Sequence, residues 1–236
     1  MHRFLNLTKV LTYRGNKIVE KLISTFKKMW HWEPVEFPEF SGERIMMMPV
    51  ILGRLSGVPE QYKDVVSLLY QMVELRHLGE IGYLTIDERS LKKGETLRRE
   101  GKHVDGYYHG QCGAWGGGSG EGGSWGSVGN GMLVVSSTPH CKAYLGIIDG
   151  KPLDEGECDH LTMPNEGLVF DAGAVYWVDG ACVHESLPVE ADTKRQFLRL
   201  SLPNNGPWFE GYTENPSGIA PAGKILPKRK FMKEKL

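Results

Sequence analysis

From residue 81 onward the chain repeats one pattern: a short run rich in β-branched and aromatic residues, then turn formers, then another such run. IGYLTI (81–86), GMLVVSS (131–137), AYLGII (143–148), GLVF (167–170), AVYWV (174–178) and QFLRLSL (196–202) follow one another in this way. Each run is too short for an ordinary helix, and its side chains are the ones that pack well on a pleated surface. Regularly spaced short strands close into a sandwich or a barrel. With 236 residues, 40% of them hydrophobic, the chain can bury a core around such a sheet without disulfide or metal staples.

Two segments before the strands read as helical. Between Leu5 and Trp30, apolar residues recur at Val10, Ile18, Leu22, Phe26 and Trp30 with lysines between them, close to a helical period. Pro59 to Leu78 has proline in its first turn, a face of Val65, Leu69, Met72 and Leu75 or Val73, and Gly79 in the capping position. Residues 33–57, with Pro34, Pro38 and Pro49, read as an irregular connector. The expected organisation is a basic helical extension and connector over 1–57, a helix plus β core over 58–203, and a C-terminal extension over 204–236. The class is α+β, mainly β, with N-terminal helices.

Charge is unevenly spread. Residues 1–30 hold seven Lys/Arg against one Glu, residues 224–236 six against one, and the body between is acidic, within an overall charge of −1. Basic ends suit an anionic or protein partner, or the protein's own acidic body. Cys112, Cys141, Cys158 and Cys182 form no C-x-x-C pair, which argues against a structural zinc site and for reduced thiols in an intracellular, cytoplasmic setting. The first nineteen residues lack acids, as mitochondrial targeting segments do, but are poor in serine. No apolar run reaches the length of a transmembrane helix.

GAWGGGSGEGGSWGSVGNG (113–131) has ten glycines in nineteen positions and cannot form a packed element by itself. Its Trp115 and Trp125 suggest a lid over a site, with Tyr107 and Tyr108 on the same side. It lacks the strand-to-helix context and the Lys-Ser/Thr ending of a phosphate-binding loop. Just before it, His103 and Asp105 stand two apart, so on extended backbone both project to one face and reach one metal ion. The third ligand is expected at His184, beside the apolar AVYWV strand. Two histidines and a carboxylate leave open positions on Fe(II). Arg199 and Ser201 alternate onto one face of QFLRLSL and can clamp a carboxylate, with Arg195 a rival by parity. His109, His140 and His160 are spare histidines, the last two expected in turns.

H-x-D, an apolar strand leading to V-H-E-x-x-P-V, then R-x-S on the next strand, together resemble the Fe(II)/2-oxoglutarate-dependent dioxygenases over residues 80–203. The resemblance implies a double-stranded β-helix (jelly-roll) core. It implies iron on His103, Asp105 and His184, and 2-oxoglutarate on Arg199 and Ser201. The implied oxidoreductase consumes O₂ and 2-oxoglutarate, releases succinate and CO₂, and hydroxylates a substrate whose identity the sequence does not give. The alternative is a catalytically silent jelly-roll serving a larger assembly through its basic termini. A cupin would want an H-x-H pair with a following glutamate, which the segment after His103 does not supply.

Overall fold

The computed structural model describes residues 12–14, 17–19, 21–29, 33–105, 107–108, 111–112, 131–153, 156–203 and 206–227. Its strands run β1 (Thr12–Arg14), β2 (Lys17–Val19), β3 (Lys21–Ser24), β4 (Phe26–Lys28), β5 (Arg44–Ile51) and β6 (Ile81–Leu91). There follow β7 (Tyr107–Tyr108), β8 (Gln111–Cys112), β9 (Met132–Ser136), β10 (Cys141–Ala143), β11 (Gly146–Asp149) and β12 (Leu168–Val169). The last are β13 (Tyr176–Val178), β14 (His184–Ser186), β15 (Thr193–Ser201), β16 (Trp208–Phe209) and β17 (Ile225–Leu226). One α-helix, α1 (Lys63–Gln71), is described.

The protein is mainly β. A six-stranded antiparallel sheet runs β4-β13-β9-β15-β6-β5, and a three-stranded one runs β12-β10-β14, an arrangement compatible with a β-sandwich. All six runs read as strands from the sequence carry strand. Alternation along β15 decides where its residues go. Leu198, Leu200 and Leu202 join Val65, Val66 and Leu69 of α1 in one core. Phe197 points the other way, into a second core with Ala143 of β10, Cys182 and Val189. The large sheet is therefore covered by the helix on one face and by the small sheet on the other.

Among the described residues the expected N-terminal helix is not seen. Residues 21–28 form β3 and β4, which pair with β11 and β13 respectively. A spacing of four between Ile18, Leu22 and Phe26 is nearly one helical turn, but it is also a multiple of two, and β3 buries Leu22 and Ser24 in strand alternation. Ser24 fixes the choice: its hydroxyl donates to the carbonyl of Tyr144 and accepts from the backbone N–H of Val183 at 2.9 Å.

The connector also contributes a strand. β5 is the edge of the large sheet, where Pro49 is tolerated because only one side of the strand is paired. The expected long helix stops at Gln71. Its last turn tightens into three-residue bonds from Met72 to Leu69 and from Val73 to Tyr70. The chain then resumes as a separate 3₁₀ turn at Leu75–His77, leaving Leu75 85% exposed. Of the basic ends (1–30 and 224–236), residues 1–11 and 228–236 lie outside the described residues, as do His109, Trp115, Trp125 and the side chains of Tyr107 and Tyr108. No described helix is long and apolar enough to cross a membrane.

Candidate metal centre

The site begins with two backbone hydrogen bonds. The N–H of His103 donates to the carbonyl of His184 at 2.9 Å, and the N–H of His184 returns the bond to His103 at the same distance. A reciprocal antiparallel pair projects both side chains to the same side. The imidazoles accordingly lie 4.5 Å apart, centroid to centroid. β14 is anchored in the small sheet by its pairing with β10, in which His184 faces Ala143. Asp105 follows in a turn rather than in the regular strand expected from its spacing, and the turn still brings its carboxylate in.

Each imidazole is oriented in the same way. Nδ1–H of His103 donates to the carbonyl of Gly101 at 2.8 Å, and Nδ1–H of His184 donates to that of Cys182 at 2.9 Å. A carbonyl only accepts, so the proton sits on Nδ1 and the Nε2 lone pair is left for a ligand. Metal-binding histidines are commonly held by such outer bonds. Gly101 makes its share possible with φ of +73°, and a Cβ there would sit 2.4 Å from Asp159 Oδ2.

His103, Asp105 and His184 each offer a ligand atom, all within 4.8 Å of one another. His103 is buried, the other two half-buried. Burial, then the neighbouring His184, lowers the His103 pKa to about 3, so its ring is neutral across the physiological range. Burial pushes the Asp105 carboxyl up, but Arg199 above all, with His184, His103 and Arg98, outweighs it and holds the carboxyl below its ordinary range. Two imidazoles and an ionised carboxylate, with ligand atoms converging within 4.8 Å, are a donor set that fits a divalent transition ion.

Arg199 stands against this cluster. Its Nη1 donates to Asp105 Oδ2 at 2.5 Å and its Nη2 to the thioether of Met47 at 3.2 Å. Its Nε, and the hydroxyl of Ser201 two residues on, are buried with no hydrogen-bond partner among the described residues. Buried polar atoms normally have partners, so this unspent donor capacity is unusual.

Arg195, four residues earlier on β15, is wholly buried and donates to Ser136 and Ser186 at 3.1 Å and to Cys141 at 3.0 Å. None of those partners is a carboxylate. His140 lies in an irregular stretch and His160 in a turn, away from the cluster. Two residues that carry no sequence signal also belong here: Met47, whose sulfur touches Arg199, and Arg98, which lies over the ring of Phe197 and reaches Asp87 at 3.3 Å. Neither sits in a motif, so only the fold could bring them to the site. No protein-family profile, curated protein or solved structure matches the chain, and its chemistry is therefore told by the geometry of His103, Asp105, His184 and Arg199.

Proposed function

We propose that this protein is an Fe(II)- and 2-oxoglutarate-dependent dioxygenase that hydroxylates a substrate within a double-stranded β-helix core. The observation that carries the reading is the convergence of His103, Asp105 and His184 beside a buried arginine with donor capacity to spare. Strand order supports the core. β6, β9, β13 and β15 lie in the large sheet, and the His103 segment, β10, β12 and β14 lie in or bridge to the small one. These seven strands and the bridged His103 segment, divided between two facing sheets, suit a jelly-roll.

The division of labour follows from the side chains. His103, Asp105 and His184 would hold the iron, which when bound supplies the coupling of O₂ reduction to decarboxylation of the keto acid. Arg199 and Ser201 would bind the co-substrate's far carboxylate through Nε–H and the hydroxyl, both of them buried and unpartnered among the described residues. Charge suits a dianion. Arg89 already holds Asp87 with two bonds, at 3.0 and 2.8 Å, so Arg98 adds positive charge that Asp87 does not fully offset. Arg195, donating only to neutral groups, favours a second assignment in which it is the carboxylate clamp and Arg199 steadies Asp105.

The test is succinate release from 2-oxoglutarate by the iron-loaded protein, with Kd for 2-oxoglutarate measured alongside in Arg199→Gln and Arg195→Gln. The proposal expects turnover, and a loss of co-substrate affinity of about 100-fold in whichever variant removes the clamp. Iron binding without turnover in the presence of 2-oxoglutarate would leave an oxygenase that uses no keto acid. Failure to bind iron would end the enzyme reading.

A further inference from the structure

We infer that Met47 is a positioning residue, set by a strained bulge in β5 so that its thioether holds Arg199 loosely toward Asp105 and lets it turn to an arriving carboxylate. The pairing of β5 with β6 slips by one residue between Ile45 and Met48, so Met46 and Met47 together oppose Thr85. Met47 has φ of +50°, the one non-glycine residue with positive φ among those described. Such a conformation disfavours a long side chain and persists only where its surroundings enforce it.

The surroundings do so from three sides. Trp208 Nε1 donates to the Met47 carbonyl at 2.9 Å, and the Met47 N–H donates to Thr85 Oγ1 at 3.1 Å. Thr213 brackets Met46, accepting from its N–H at 2.9 Å and donating its own N–H to the Met46 carbonyl at the same distance. An unbulged strand would turn residue 47 away from Thr85 and Arg199. The extra residue turns it inward, where Met47 is 1% exposed and its sulfur receives both the Thr85 hydroxyl at 3.4 Å and Arg199 Nη2 at 3.2 Å.

The choice of sulfur matters. A thioether is a weak acceptor, whereas a carboxylate or amide in its place would grip the guanidinium and compete with any ligand. Arg199 is thus aimed on both sides but firmly bonded only to Asp105, with Nε still unspent. The inference rests on the proposed co-substrate for its purpose, and on the geometry alone for the contact.

The experiment uses the full chain loaded with Zn(II), a redox-silent ion, titrated with 2-oxoglutarate in wild type, Met47→Leu and Met47→Gln. Leucine keeps the volume and loses the acceptor; glutamine puts a stronger acceptor in its place. Met47→Leu is expected to weaken 2-oxoglutarate about tenfold while Zn(II) affinity stays within about twofold, and Met47→Gln, whose amide holds the guanidinium away from a ligand, to fall below wild type as well. Equal co-substrate affinity in Met47→Leu and wild type, or a parallel loss of Zn(II) affinity, overturns the inference. A second readout needs no co-substrate: rotation of the Arg199 Nη groups by ¹⁵N NMR, expected about tenfold faster in Met47→Leu. Equal rotation rates also overturn it. Unequal rates in a protein that never binds 2-oxoglutarate leave the positioning role standing and remove the dioxygenase instead.

Discussion

At the scale of single residues, the site depends on which protonation states the fold enforces. His103 is neutral in the folded protein because burial first, and His184 second, lower its pKa from 6.5 to about 3. The unfolded chain takes up that proton below about pH 6.5, and the folded protein does so only near pH 3, so the unfolded state binds more protons in between. The metal-free protein is therefore expected to lose stability as pH falls from about 6.5 toward 3. His103→Asn should flatten that part of the profile, as read by denaturant midpoints at successive pH values. Gly101 is the second lever. Alanine there adds a Cβ beside Asp159 at a φ of +73°, and is expected to cost about 1–2 kcal/mol and to weaken Mn(II) binding by about tenfold through the His103 ring. Calorimetric titration with Mn(II) checks the second effect, and unchanged affinity would show that the Gly101 carbonyl does not orient the ring. His103, Asp105, His184 and Arg199 could be picked out from sequence because H-x-D, a histidine beside an apolar strand and an alternating R-x-S each carry their own spacing. Met47 and Arg98 could not, because their importance comes from partners 152 and 11 positions away in the chain.

At the scale of elements, the segment before β5 is tied to the sheet by one carboxylate. Glu88 Oε2 accepts from the backbone N–H groups of Ser41, Gly42 and Glu43 at 2.8, 2.5 and 2.9 Å. Its Oε1 accepts from the Tyr62 hydroxyl and, at 2.8 Å, from Gln196 of β15. Burial alone would raise its pKa, but these hydrogen bonds, Tyr62 and Gln196 foremost, lower it from 4.5 to about 2. A lowered carboxyl stabilises the fold above its unfolded pKa, and that contribution is lost as pH falls from about 4.5 toward 2. Glu88→Ala is expected to cost about 3 kcal/mol by chemical denaturation and to remove the acid dependence in that window. A cost near zero would mean that the 38–43 segment is held by other contacts. The elements also show where sequence patterns mislead. The six runs from residue 81 onward announced themselves because short stretches of β-branched and aromatic residues between turn formers are too short for a helix. The 21–28 strands did not, because a four-residue spacing satisfies helix and strand alike, and only pairing with β11 and β13 decides. β5 was hidden by Pro49, whose missing N–H matters little on an edge.

At the scale of the whole molecule, the two sheets bring together parts of the chain about 80 to 95 residues apart, His103 with His184 and Asp105 with Arg199, and neither pairing follows from local sequence. A ligand that binds only this folded arrangement should raise its stability by mass action, by about 2.7 kcal/mol at a hundred times Kd. Thermal unfolding of the apo protein with and without Mn(II) is expected to show the rise, and Asp105→Ala to abolish it. The central claim is that three side chains from two distant segments hold iron beside an arginine ready for a keto acid. Its most direct test is an anaerobic titration of the purified protein with Fe(II) followed by 2-oxoglutarate. The account predicts one iron per chain and a weak visible charge-transfer band that appears only when 2-oxoglutarate is added and is absent in His184→Ala. Stoichiometric iron that survives the loss of His184, or no band at saturating 2-oxoglutarate, would contradict it.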